Sequence, residues 1–246
     1  MRVRILSYNI HRAIGLDRRF RPDRIIRIVE HHDPDIVLMQ EVDEGVPRSR
    51  ELDLARELAE ALGYPHYAVG HNVTLRKGRY GNATMTRFPI LRERNIDLTI
   101  GRRKRRGCQH TTLALSRRGS KTHRLEVFHA HLGLSAKERE GQIGLLVRSH
   151  EFADLDRNAP CLVGGDFNDW RSRLQPIFHQ GLCFDLVTEH ANGRPISTHP
   201  SFSPRGGLDR IYIRGGLRSH GARRCRMQLS RVASDHLPVI ADLELR

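Results

Sequence analysis

The chain has 246 residues, 38% hydrophobic and 28% charged, which supports a sizeable core and excludes a disordered chain. No stretch approaches the roughly 18 apolar residues that a membrane-spanning helix needs, and the basic opening "MRVRILSYNIHR" is broken by Ser7 and Asn9, as a first strand rather than a signal peptide would be. The formal net charge of +14 is almost all arginine, because lysine occurs only at Lys77, Lys104, Lys121 and Lys137; a surface of that sign draws polyanions such as nucleic acid or anionic lipid headgroups.

In chain order, residues 2–8 ("RVRILSY") read as a strand. From Pro22, "PDRIIRIVEHHDPD" sets Ile25, Ile26, Ile28 and Val29 on a helical stripe that Pro34 ends, and "DIVLMQEV" follows as a fully buried strand. A second helix is expected over 49–62, on Leu52, Ala55, Leu58, Ala59 and Leu62, with Gly63 as its C-terminal cap. Shorter strands come next: "HYAVG", "NATMTRF", "QHTTLAL" and "RLEVFHAHL", the last two joined by a hairpin turn at "SRRGSK". The longest helical candidate is 136–156, on Ile143, Leu145, Leu146, Phe152 and Leu155. Then come a strand in "CLVGGDFNDW", a short helix near 171–180, and the strands "LDRIYI" and "PVIADLEL". The elements fall into two groups, each beginning β-α-β, with no repeat or linker between them. They predict one domain over residues 1–246, an α/β sandwich of two packed sheets with helices outside. The cysteines Cys108, Cys161, Cys183 and Cys225 have no C-x-x-C or zinc-type spacing, so reduced thiols in a cytoplasmic protein are expected.

Polar residues recur at the ends of these apolar strands: Asn9, Glu41, His131, Asp166 with Asn168, Asp209, and Asp235 with His236. Singly, each has a plain structural explanation. Asn9 could cap a turn, Glu41 could pair with an arginine, and His131 could be a hydrogen-bonded core histidine. As a set they are costly beside a core unless something binds them. Asp166 and Asn168, two apart, are expected on one side of a strand. Hard oxygen ligands without thiolates suit Mg2+ or Mn2+ rather than zinc. An Asp–His pair supplies a base or an electrophile of fixed tautomer. One divalent ion, an oriented water and imidazoles facing a phosphate make a phosphodiester-hydrolysing site.

In the order N, Q-E, H-L, G-D-F-N, L-D-R-I, S-D-H-L-P, these residues resemble the endonuclease/exonuclease/phosphatase superfamily from Asn9 to Pro238. The resemblance implies a four-layer α/β/β/α sandwich of two mixed sheets with the site at one edge. It implies Glu41, Asn9 and Asp235 as metal ligands, Asp166 as the group that orients or deprotonates water, and Asn168 on a phosphate oxygen. His236, fixed by Asp209, would contact the scissile phosphate, and His131 would stabilise the phosphate or assist the leaving group. Arg106 and Asn82 would face the substrate. Two departures stand out. Some members carry an acid where this chain has His11, and the single tryptophan, Trp170, is expected to pack or anchor a loop rather than stack bases.

Three substrate readings follow. The first is a magnesium-dependent nuclease acting on DNA or RNA, favoured by the charge, the run "RRKRR" at 102–106, Arg76 with Lys77, and Arg223 with Arg224. The second is a phospholipid or small-headgroup phosphodiesterase resting on an anionic membrane. The third is a non-enzymatic nucleic-acid-binding module. A monomer is the default.

Overall fold

In strand β1 (Arg2–Asn9), Val3 and Ile5 face one way and Leu6 and Tyr8 the other, and the two sets enter different cores. That alternation organises the molecule. The computed structural model describes residues 1–116 and 122–245.

Helix α1 (Pro22–His32) crosses from β1 to β2 (Ile36–Glu44), which lies parallel to β1. Helix α2 (Leu54–Leu62) leads to β3 (His66–Thr74) and β4 (Arg79–Thr86). Next come β5 (Ile90–Asp97), β6 (Gly107–Leu115) and β7 (His123–His131). Helices α3 (Ala136–Arg148) and α4 (His150–Ala153) cross to β8 (Cys161–Asp166), parallel to β7. The chain ends through β9 (Asp185–Leu186), β10 (Asp209–Arg214), β11 (Leu217–Arg224), α5 (Ser230–Ala233) and β12 (Val239–Leu245).

Two six-stranded sheets result, in the orders β11-β12-β1-β2-β4-β3 and β5-β6-β7-β8-β10-β9. Each holds one parallel pair, β1–β2 or β7–β8, among antiparallel ones, so both are mixed. Three apolar clusters fix four layers. Ile25, Ile28, Leu54 and Leu58 of α1 and α2 pack on Leu6, Tyr8, Val37 and Met39 of the first sheet. Ile5, Leu38 and Val239 meet Leu125, Val127, Leu162 and Ile211 between the sheets. Phe128, Val163 and Tyr212 of the second sheet meet Ile143, Leu146 and Phe152 of α3 and α4 outside.

Several elements differ from expectation, each for a local reason. The second helix starts at Leu54 rather than at residue 49, because Arg50 and Glu51 are left-handed (both φ 58°) and the Asp53 carboxylate accepts from Arg56 N at 3.1 Å. The expected helix 136–156 is two helices, broken where Ser149 turns extended (ψ 147°) and its hydroxyl donates to Leu146 O at 2.7 Å. The short helix expected near 171–180 forms over residues 175–181, in π geometry from Ile177 to Gly181. Strands β5 and β11 were not expected at all. Both are edge strands, largely exposed and rich in charge (Arg92, Glu93, Arg94; Arg218, Arg223, Arg224), so no apolar alternation marks them. Of the hairpin turn expected at "SRRGSK", residues 117–121 lie outside the described residues. The flanking strands pair from Cys108↔Ala130 to Leu115↔His123. All four cysteines are free, and among the described residues no helix is long and apolar enough to cross a membrane.

One close approach governs the centre of the second sheet. Gly165 holds φ 132°, and a Cβ there would stand 1.9 Å from Ala130 O of β7. Gly165→Ala is therefore expected to cost roughly 2 kcal/mol or more of stability in urea unfolding. Gly181→Ala, with nothing within 4 Å of its Cβ position, should be near neutral. Equal midpoints for the two variants would contradict this packing.

Candidate active site

The face that β1 turns toward the second sheet runs Val3, Ile5, Ser7, Asn9, from apolar to polar along its length. The same gradient recurs in Ile36-Leu38-Gln40 of β2, Leu125-Val127-His129-His131 of β7, Leu162-Gly164-Asp166 of β8 and Ile213-Ile211-Asp209 of β10. Register aligns the polar ends, since Asn9 lies opposite Gln40, and Asp166 lies opposite both His131 and Asp209. The space between the sheets is thus dry at one end and lined with acids, amides and imidazoles at the other.

Below the opening a buried polar floor joins the sheets. Gln40 Nε2 lies 2.6 Å from His129 Nε2, Thr84 Oγ1 donates to Gln109 Oε1 at 2.7 Å, and Asn82 Nδ2 donates to His129 O at 3.1 Å. Burial pushes the His129 ring down to about 3, so it is neutral and can accept from the Gln40 amide. The β2–β4 register shifts between Met39 and Val42, and inside that irregularity Glu41 adopts φ 59°. A bulge re-aims a side chain. Here it lets Gln40 stay between the sheets while Glu41 turns to the rim.

Asp166 is the hub. It is 1% exposed. Its Oδ2 accepts from Asn9 Nδ2 at 3.0 Å and lies 3.4 Å from His131 Nε2 and 3.7 Å from His236 Nε2; its Oδ1 accepts from Asn168 N at 2.9 Å. Asn168 comes here by a different route from the one expected. Strand β8 ends at Asp166, and Asn168 folds back in a left-handed turn (φ 50°), its Nδ2 donating to Leu132 O at 3.0 Å. Strand alternation does not place it.

Around the hub, each protonation state has a physical cause. Burial raises the Asp166 carboxyl to about 6, against the pull of the His236 charge. His236 is also buried, which opposes charge, yet the Asp209 and Asp166 carboxylates and the Nδ1 bond to Asp209 Oδ2 at 2.8 Å hold its pKa up at about 10. Burial, then the Arg106 guanidinium and the His236 charge, push His131 well below the ordinary imidazole value, so it is neutral. A neutral and a cationic imidazole thus flank one carboxylate.

Residues outside the sequence-predicted site hold this set. Thr198 Oγ1 donates to Asp209 Oδ2 at 2.5 Å, and Ser234 Oγ donates to Asn9 O at 2.7 Å while accepting from His236 N at 3.1 Å. Asp169, directly after Asn168, accepts from Leu174 N at 2.9 Å and pairs with Arg139 at 3.4 Å. Arg210 is 1% exposed and donates to Asp169 O and Ser172 Oγ. The serine of "SDHLP", the threonine of "STHP" at 197–200 and an arginine inside an apolar strand ("LDRIYI") were the available signals. Arg12, left-handed at φ 62°, sets its Nε 3.4 Å from Glu41 Oε2. Trp170 is 54% exposed and lies edge-on to the His199 ring, 5.5 Å between centroids. It also packs on Gly206, where a Cβ would meet the indole at 2.6 Å.

Glu41 and Asn9 stand side by side at the end of the first sheet, with Asp235 half-buried on the segment before β12. Glu41 Oε2, beyond its ion pair with Arg12, and Asp209 Oδ1 are buried oxygens without a hydrogen-bond partner. A donor set of oxygens with no thiolate fits a hard divalent cation.

The profile of the Endonuclease/Exonuclease/phosphatase family matches residues 6–236. The chain belongs to that family. The uncharacterized protein YbhP of Escherichia coli K12 is 29% identical over 253 aligned positions, 98% of this chain and 96% of its own length. An endonuclease/exonuclease/phosphatase structure from Bacteroides vulgatus superposes with a TM-score of 0.79 at 19% identity, covering 100% of both chains. The mannosyl-6-phosphatase Bt3783 of Bacteroides thetaiotaomicron gives 0.73 at 19% identity (99% and 100% covered). TDP2 of D. rerio, complexed with a single-strand DNA product, gives 0.73 at 15% identity (99% of each). Members of the endonuclease/exonuclease/phosphatase family hydrolyse phosphoester bonds and generally depend on divalent metal.

The raised pKa of His236 carries a sign that can be measured. Its contribution to stability is fully present below the ordinary value of 6.5 and is lost as pH climbs through about 10. In metal-free protein its ring signals in NMR should stay those of an imidazolium across the neutral range. In Asp209→Asn they should titrate at lower pH, and the protein should be less stable at neutral pH. A wild-type midpoint near 6.5 would refute the assignment.

Proposed function

We propose that this protein is a divalent-cation-dependent phosphodiesterase whose substrate is nucleic acid. The observation that carries the reading is the buried Asp166 carboxylate with Asn9, His131 and His236 around one of its oxygens. Asp166 takes the proton of the attacking water. A carboxyl lifted to about 6 is a stronger base than an ordinary one and still ionised at neutral pH. Asn9 and the Asn168 N–H keep its two oxygens in place. The Asn168 amide has a second hydrogen for a phosphate oxygen once the first is bonded to Leu132 O.

His236, cationic and oriented by Asp209, donates from Nε2 to the scissile phosphate and balances the charge that grows there. Neutral His131, with Arg106 beside it, serves the other side of the phosphorus and the leaving oxygen. Arg106 is buried and its Nε has no partner, as suits a group reserved for an anion. Asn82 ties the floor beneath through His129 O. Glu41, Asn9 and Asp235 would hold a Mg2+ or Mn2+ ion, which would supply Lewis-acid polarisation of the phosphate.

Charge and rim favour a polyanionic chain as substrate. The excess is +14. Residues 102–105 are exposed cations leading to Arg106, and Trp170 offers an exposed ring near the site. Backbone phosphates take arginine, and aromatic faces take bases. The DNA product in the TDP2 structure, on the same fold, supports this reading.

A metal-supplemented panel tests it. Single-stranded and plasmid DNA and RNA should be cleaved, chelator should abolish turnover, and activity should fall steeply with salt as counterion release requires. Asp166→Ala should stay folded and lose at least about a thousandfold in kcat. Cleavage of a sphingomyelin analogue or a sugar phosphate with nucleic acids untouched would replace the substrate. Wild-type turnover in Asp166→Ala would remove the mechanism.

A further inference from the structure

His199 stands beside this machinery without a part in it. Its segment is fastened to the one that carries Asp235 and His236, since Ser201 N donates to Asp235 O at 2.8 Å and Leu237 N to Thr198 O at 2.9 Å. The His199 ring lies 4.7 Å from that of His236, centroid to centroid, and its Nε2 is 3.9 Å from Asp235 Oδ2. Trp170 covers it edge-on. Its Nδ1 is buried with no hydrogen-bond partner. One ligand-capable atom from each of His199, Asp235 and His236 lies within 4.8 Å of the other two.

We propose that His199, Asp235 and His236 form a second cation site, selective for a borderline transition ion such as Zn2+, whose occupation switches the enzyme off. Two imidazoles and a carboxylate suit zinc, whereas Mg2+ prefers the oxygens of Glu41 and Asn9. Ligand atoms on a tetrahedral zinc with ~2.0 Å bonds stand roughly 3.3 Å apart. Closing the cluster to that spacing takes side-chain movement of half-exposed His199 and Asp235, whose nearest approach is 3.9 Å.

The atom used at His236 is fixed by its neighbour. Asp209 occupies Nδ1, which leaves Nε2 for the ion, in the carboxylate–imidazole–metal relay that orients zinc ligands. Trp170 excludes solvent from one side of His199.

Inhibition follows from the identity of that atom. His236 Nε2 is the one that faces Asp166 and is to donate to the phosphate. An ion there displaces its proton and leaves no donor for the phosphate. It would also engage Asp235, leaving Glu41 and Asn9 as the oxygen donors to Mg2+. The inhibitory consequence rests on the proposed function; the binding does not.

Co2+ is the probe, titrated into the protein in excess Mg2+ so that the oxygen site stays filled. One equivalent should give the visible absorption of a four-coordinate nitrogen–oxygen cobalt site, and Zn2+ should abolish it. His199→Phe should lose the band and bind Zn2+ at least about tenfold more weakly. That variant should keep its Mg2+-supported turnover and become resistant to Zn2+. His199→Gln, which preserves a polar side chain, should behave like His199→Phe and guards against a packing artefact. A wild-type protein without the band, or variants with unchanged band and Zn2+ affinity, would overturn the proposal. A His199-dependent band in a protein inactive on every phosphoester would sustain the metal site while refuting the proposed function.

Discussion

A carboxylate that is 1% exposed must be satisfied from within, and Asp166 is satisfied by groups from both sheets. Asn9 donates from the first sheet, Asn168 N from the turn after β8, and His236 stands on the segment that returns to the first sheet. The site therefore exists only where the two sheets are correctly stacked. Register within the second sheet matters equally. A one-residue slip of β8 would turn Asp166 outward to α3 and carry Gly165 into its place. The close approach of Gly165 to Ala130 O blocks a side chain at that point and helps pin the pairing.

The inter-sheet space has two jobs that conflict. At one end it is an ordinary apolar core, with Ile5, Leu38, Val127 and Ile211. At the other it must hold ionisable groups at low dielectric without collapsing around them. The polar floor of Gln40, His129, Thr84, Gln109 and Asn82 separates the two, with neutral His129 as an acceptor rather than a charge. Such a network depends on nearly every member being bonded, as all but Gln40 Oε1 are here, and it ties the two sheets together beneath the Asp166 cluster. Outside the second sheet, buried Arg210 does the same for the loop after β8 by gripping Asp169 O and Ser172.

Much of this was legible in the sequence because one rule, the period-two alternation, generates both the core and the site. Asn9, His131, Asp166 and Asp209 each continue an apolar inter-sheet row, so a polar residue ending a buried strand pointed to the shared edge. Where other physics decides, the reading failed. Strands β5 and β11 are held by backbone pairing at sheet edges and carry charges that resemble loop sequence. The break at Ser149 depends on a local hydroxyl bond, which the apolar stripe across it does not register. Asn168 reached the site through a left-handed turn, not through alternation. His199 and Thr198 arrive from a long connection whose path depends on backbone bonds to residues 235–237, and spacing carries no trace of that.

Charge in this molecule acts on two length scales with opposite sign. Over the surface the excess is +14, which attracts an anionic chain from a distance but is screened within roughly 10 Å at 0.1 M salt. Inside the site the balance reverses, because Glu41, Asp166, Asp209 and Asp235 converge where His236 is cationic and His131 neutral. That local excess of carboxylate disfavours a bare phosphate and favours a cation. Under the proposed function, these acids would make a phosphate's entry depend on a bound cation, with buried Arg106 as the arginine inside the site and the surface arginines outside it. Under the two proposals, specificity for the ion would follow from position within the cluster. Carboxylate and amide oxygens of Glu41 and Asn9 gather near β1 and β2 and the imidazoles of His199 and His236 near the segment before β12, with Asp235 between the two proposed cation sites.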